Sequence, residues 1–136
     1  MYAHGSFIPE DPISFYIRLA DDAGNSTVLS AADILGPRPW VLAACSTGSG
    51  RVRSGDEVLG LPRALLQAGA SLVVIPLWDV HVSSSWRLMN LFYDNLATGL
   101  PVSHALHSAA SRLRAQHAAP FDWAPFILVG QHGYGN

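Results

Sequence analysis

Lysine is missing from this chain altogether, and all eight of its basic residues are arginine. That absence rules out a Walker-type phosphate loop, which needs a lysine after its glycines, although Gly48-Ser49-Gly50 follows an apolar run. The dinucleotide fingerprint fails as well, because Arg53 stands where it requires glycine. Charge of either sign is sparse, at 13% of residues with a formal net charge of −2. Arg18, Arg38, Arg63 and Arg87 are scattered, and only Arg51 with Arg53 and Arg112 with Arg114 are near neighbours. Nucleic acid and anionic membranes are bound through clustered cations, so neither is expected as a partner.

Cysteine is nearly missing too. Cys45 is the single thiol, so no internal disulfide can form, and the opening Met1-Tyr2-Ala3-His4 lacks the cationic start and apolar stretch of a secretory signal. A reducing, cytoplasmic compartment is the expectation. Long apolar runs are absent: the nearest, Leu72 to Trp78, falls far short of the roughly 18 residues of a membrane span. Internal repeats and low-complexity tracts are absent as well. His104 and His107 are three apart on a helical pattern and could face one ligand, but no third ligand of matching geometry is evident. A solvated helix face accounts for them, and no metal is expected.

What the chain has is apolar material, 49% of its 136 residues. That suffices for one compact core and not for two ordinary domains, so residues 1–136 read as a single domain or part of one. Ile13, Phe15, Ile17 and Leu19 alternate with polar neighbours, and Asp21-Asp22-Ala23-Gly24-Asn25 supplies a turn before Thr27-Val28-Leu29, which reads as a β-hairpin. Ser30 is placed to cap a short helix over 31–35 that Gly36-Pro37 ends. Trp40 to Ala44 reads as a buried strand.

Asp56 is placed to cap a helix from Glu57 to Ala68 with Gly69 as its stop. Pro62 predicts a bend near Leu59 or a start close to Leu61. Ser71 to Leu77 is a second buried strand. A long helix follows over Ser83 to Thr98, with an apolar stripe of Trp86, Met89, Leu91, Phe92 and Leu96, closed by Gly99. Pro101 opens a helix running to Gln116. Trp123 to Gly130 reads as a last strand, at an edge or bulge because of Pro125, and Gln131 to Asn136 as a loose tail. Trp40, Trp78, Trp86 and Trp123 read as core and rim packing rather than a ligand cage. The order of elements is that of a layered α/β fold.

The chemistry centres on Cys45. It directly follows the apolar run Trp40 to Ala44 and directly precedes Ser46-Thr47-Gly48-Ser49-Gly50, so it sits where a buried strand runs into a small-residue loop. His4-Gly5 ends a short apolar start and offers a second strand-end loop. An imidazole beside a thiol favours the thiolate and later protonates the leaving amine. Glycine after the histidine allows close approach of backbone, so the N–H groups of Gly5 and Cys45 could hold a developing oxyanion. The plainer alternative makes Cys45 a small buried hydrophobe and His4 an ordinary loop residue.

His4-Gly5-Ser6-Phe7 followed by Val41-Leu42-Ala43-Ala44-Cys45-Ser46-Thr47-Gly48-Ser49-Gly50-Arg51 resembles the two active-site segments of CHAT-domain proteins. These are caspase-like and separase-like cysteine peptidases of clan CD, often attached to TPR repeats. The stretch from Gly55 to Ala70 is similar to that family's helix, and Leu77-Trp78-Asp79-Val80 to its Leu-Trp-x-Val strand end. Leu88 to Tyr93, Ala105 to Ala109 and Trp123 to Gly130 match as well, so the likeness covers nearly the whole chain in order.

The resemblance implies a caspase-like three-layer α/β/α sandwich with a mostly parallel sheet. Only Met1-Tyr2-Ala3 precede His4, so an N-terminally truncated, C-terminal part of the domain is expected. Its bare first edge would be completed by a partner chain or by an N-terminal region such as TPR repeats. The resemblance further implies peptide-bond hydrolysis in protein or peptide substrates without cofactor. Cys45 would be nucleophile, His4 general acid/base and Gly5 part of the oxyanion hole. Relatives that prefer a basic residue hold it with acid near the Leu-Trp-x-Val turn. Here His81-Val82 stands in place of the usual Asp-Asp, leaving Asp79, and after it Asp56, as substitute substrate-binding acids. A non-catalytic interaction module is the alternative function.

Overall fold

Strand pairing divides the β-structure into an antiparallel sheet near the N-terminus and a mixed sheet that carries the core. The computed structural model describes residues 2–6, 16–20, 23–30, 33, 36–43, 56–78, 80–116 and 119–130. Side chains are described at 23–30, 33, 36–43, 62–78, 80–116 and 119–130.

The first sheet is β1 (Tyr2–Ser6), β2 (Tyr16–Ala20) and β3 (Ser26–Ser30) in that order, antiparallel throughout. Tyr16 lies opposite Ser30 and Ala20 opposite Ser26, which is the hairpin expected from the alternating pattern and the turn through Gly24. β1 adds a third strand, with Tyr2 opposite Ala20 and Ser6 opposite Tyr16. Just beyond β3, Asp33 accepts from the Ser30 backbone N–H at 2.7 Å and from its hydroxyl at 2.9 Å. The cap thus runs from Asp33 back to Ser30, the returning half of a capping box. Both bonds favour the charged carboxylate and hold the Asp33 pKa below its usual value.

The second sheet is β4 (Pro39–Val41), β5 (Leu72–Pro76) and β6 (Phe126–Gly130), with β5 in the middle. β4 runs parallel to β5, and the Leu42 N–H continues their ladder to the Val74 carbonyl at 2.9 Å. β6 runs antiparallel to β5, from Phe126 opposite Pro76 to Gly130 opposite Leu72. Among the described residues the parallel arrangement is therefore confined to the β4/β5 pair. The cause is the parity of the return. A single crossover helix would bring the chain back parallel, but a pair of long helices intervenes ahead of one short helical turn over 120–123: α2 (Val82–Ala97) and α3 (Val102–Ala115). They lie antiparallel: Arg87 near the start of α2 meets Gln116 past the end of α3, and Asn95 near the end of α2 bonds the Ala105 carbonyl.

Every residue of β5 is buried, because both of its faces are covered. Leu72 and Val74 join Leu88, Met89 and Phe92 of α2 and Ala105, Leu106, Ala109 and Leu113 of α3. Val73 and Ile75 join Ala64 and Leu65 of α1 (Asp56–Gln67), with Leu29, Trp40 and Ile127 at the margin. Phe92, Leu65, Leu88 and Leu113 are fully buried, each stabilising the fold by about 1.5–3 kcal/mol relative to exposure. α1 and α2 end in the same way. Past α1, Ala70 N–H bonds the Leu65 carbonyl and Gly69 N–H that of Leu66; past α2, Leu100 bonds Asn95 and Gly99 bonds Leu96. This closure needs a left-handed residue, supplied by Gly69 at φ 111° and Gly99 at φ 88°.

Three expectations are corrected. Asp56 lies inside α1 rather than capping it, and the helix starts there rather than close to Leu61, with Pro62 in its interior. Proline removes a single backbone donor there, while its ring is fully buried, so packing offsets the lost bond. Trp123 belongs to a short helix α4 (Pro120–Trp123), not to the last strand. Pro120 starts that turn of helix at its favoured first position, and the strand begins only after Pro125, whose carbonyl accepts from Leu77 N–H at 2.7 Å. Trp86 is 67% exposed and so stands outside the core stripe. Residues 31, 32, 34 and 35 of the expected short helix, and the tail 131–136, lie outside the described residues.

Candidate active site

Because β4 and β5 are parallel, their carboxyl ends leave the sheet at the same edge, where open α/β sheets place their ligands. From β4 the chain is described as far as Ala43, two residues short of Cys45; Cys45 itself lies outside the described residues. From β5 it passes through Leu77 and Trp78 to Val80 and His81, with Asp79 also outside the described residues.

The turn after β5 is held from two sides. Trp78 packs against the α2/α3 core cluster, and its ring faces Phe121 of α4 at 6.1 Å. The His81 ring meets the same Phe121 at 5.4 Å. The Ser84 hydroxyl, in the first turn of α2, donates to the Asp122 carboxylate of α4. Arg114 near the end of α3 lies over the Trp123 ring at 5.6 Å. Such aromatic pairs each contribute about 0.5–1.5 kcal/mol beyond the area they bury. Among the described residues the buried Trp78 Nε1 has no hydrogen-bond partner. His81 is the N-cap residue of α2 in extended conformation with no side-chain cap bond, and the first turn carries no acid.

His4 and Gly5 are placed inside β1, opposite Arg18 and Ile17, and not in a loop after it. β2 supplies a full-length partner, so cross-strand pairing carries the strand past the glycine. Asp56 stands at the first position of α1. The side chains of His4 and Asp56, and with them every distance to Cys45, lie outside the described residues. The sequence reading did not find Phe121 or Asp122 as supports of the turn. The available signal was Pro120 followed by Phe121-Asp122-Trp123, which reads as a helix start rather than a strand. Among the described residues no three His, Cys, Asp or Glu side chains are grouped to hold a metal ion. No described helix is long and apolar enough to cross a membrane.

Tetratricopeptide repeat protein 28 of Homo sapiens is 33% identical over 145 residues, covering 95% of this chain and 6% of that protein. The Mus musculus protein of the same name is 33% identical over 146 residues, with the same two shares. The chain thus spans 6% of the length of these curated relatives. The family model described as CHAT domain matches residues 1–131, from ahead of β1 to just past β6, and the chain belongs to the CHAT-domain family.

Proposed function

We propose that the chain is a cysteine endopeptidase of caspase-like layered architecture, one CHAT domain over residues 1–136 acting in the cytoplasm. Cys45 is its nucleophile and His4 its general acid/base. The observation that carries this reading is the extent of the family match, which includes both the His4-Gly5 and the Cys45 segments. The shared carboxyl edge of β4 and β5 supports it, since that edge is where the chain departs toward Cys45. Helices on both faces of β5 support the layered architecture.

In this reading the Cys45 thiolate attacks the scissile carbonyl carbon and forms a C–S bond. The N–H groups of Gly5 and Cys45 stabilise the oxyanion. His4 then protonates the leaving amine as the C–N bond breaks, and a water deprotonated by His4 releases the acyl group as carboxylate. Asp79 and Asp56 contact the substrate. The test is selective alkylation by a peptidyl acyloxymethyl ketone. Cys45 is the residue labelled, and His4→Ala slows labelling by about 100-fold or more. Equal rates in wild type and His4→Ala, or a thiol titrating at an ordinary value near 8.5, would sink the proposal.

A second reading is a non-catalytic module that pairs its sheet edges with another chain. It is favoured by β4 and β6 lying at the edges of the described mixed sheet. The name of the relatives points to tetratricopeptide repeats as the partner. The thiol titration separates the two.

A further inference from the structure

We infer that the groove at the start of α2 binds a segment of substrate in which an apolar side chain is flanked by a carboxylate, a segment separate from the substrate residue proposed to meet Asp79 and Asp56. The inference rests on the proteolytic reading only in calling that peptide a substrate. The groove is open, about 750 Å³ in volume, and lined by His81, Val82, Ser83, Trp86 and Arg87. It begins at the residue where the turn after β5 ends.

Val82 is 81% and Trp86 67% exposed. Four residues apart, they share a face of α2 that is distinct from its buried face of Ser85, Leu88, Met89 and Phe92. Scattered apolar residues on a surface need no explanation, but a tryptophan and a valine lining one groove beside a candidate active site make a contact surface. Tryptophan and arginine are the residues that most often dominate binding energy.

The charge selects among occupants. Among the described residues no acid lines the groove, and Arg87 is the fixed charge on it. Among the described residues the Arg87 guanidinium bonds the neutral Gln116 Oε1 at 2.8 Å, which leaves its positive charge and further N–H donors for a carboxylate. The acid of α4, Asp122, is engaged by the Ser84 hydroxyl. One wall is held in place, since His81 rests on Phe121 and Phe121 on Trp78, so little ordering is needed when a peptide binds. A lysine or arginine beside the apolar side chain would instead meet Arg87 and be repelled.

The test is fluorescence anisotropy with two fluorescein-labelled hexapeptides, one centred on Glu-Leu-Glu and the other on Lys-Leu-Lys, added to the full chain carrying Cys45→Ala so that nothing is turned over. The Glu peptide is expected to bind about tenfold or more tightly than the Lys peptide at low salt. Arg87→Gln removes that preference, and Trp86→Ala weakens both peptides by about tenfold. Both substituted side chains are exposed, and an unchanged thermal midpoint confirms that each variant folds. Equal affinity for the two peptides, a preference that survives Arg87→Gln, or indifference to Trp86→Ala overturns the inference. The proteolytic reading fails separately: Glu-peptide binding by a chain whose wild-type thiol is not selectively labelled keeps the groove and discards the enzyme.

Discussion

The outer strand β3 of the antiparallel sheet and the central strand β5 of the mixed sheet are equally long, at five residues, but are held by different means. In β5 all five residues are buried. In β3, Ser26, Thr27 and Val28 are exposed, Leu29 and Ser30 are half-buried, and Leu29 is the side chain that reaches the core cluster. A strand covered on both faces contributes every side chain to the interior, whereas a strand covered on one face contributes about half. Stability is therefore concentrated in β5, α2 and α3. The proposed dyad straddles this divide, with His4 on the first sheet and Cys45 after a strand of the second. Disturbing the hairpin is expected to damage the site before it damages the fold.

Large core truncation gives the sharpest contrast. Phe92→Ala, at a side chain with no exposure between α2 and α3, is expected to lower unfolding free energy by about 3–5 kcal/mol. Val28→Ala in β3, 54% exposed, should change it by less than about 0.5 kcal/mol. Urea denaturation of both variants tests the concentration of stability, and a comparable loss at the two sites would refute it.

A smaller effect is expected at Gly130, the end of β6. A Cβ there would lie 2.6 Å from the Ser71 carbonyl oxygen and 2.7 Å from Leu72 Cα, at φ 134°, so Gly130→Ala should cost about 2–3 kcal/mol through strain and a shifted strand end. At Gly99 no atom of the described residues lies within 4 Å of an added Cβ, and alanine meets the left-handed backbone penalty of about 1 kcal/mol. Thermal melts rank the two, and the reverse order would mean that the β5/β6 junction tolerates movement.

The smallest effect belongs to the hairpin side. Asp33 is held below its ordinary pKa of 3.8 by the Ser30 backbone and hydroxyl donors. A depressed carboxylate stabilises the fold fully above its unfolded value and loses that contribution as pH falls below 3.8 through the folded one. An NMR titration of the Asp33 carboxyl should show a midpoint below 3.8, and Asp33→Ala should flatten the acid limb of stability slightly. A midpoint at or above 3.8 would remove the cap.

The elements whose signal is local were legible in the residues. The continuous run Leu72 to Trp78 announced a buried strand, and Gly69 and Gly99 marked two helix ends that need left-handed closure. The family was legible as well, since the segments around His4-Gly5 and Cys45 resemble its motifs and the family model matches residues 1–131. Trp86 misled because its spacing from Met89 and Leu96 admits a core position as readily as an exposed one. Only the packing of Ser85, Leu88 and Phe92 against α3 decides which face turns inward. Trp123 misled because the apolar run after it is a strand and the boundary depends on two prolines acting together.

Composition and local pattern by themselves determined an α/β chain without a P-loop lysine or an internal disulfide. They suffice for such conclusions because capping, periodicity and missing side-chain chemistry are properties of neighbours in the chain. Tertiary structure decided the rest: that β6 returns antiparallel, that α4 braces the turn after β5, and that Val82, Trp86 and Arg87 line one open groove. Those outcomes depend on which helix faces compete for the two sides of β5, a contest between residues far apart in the chain that no local window contains.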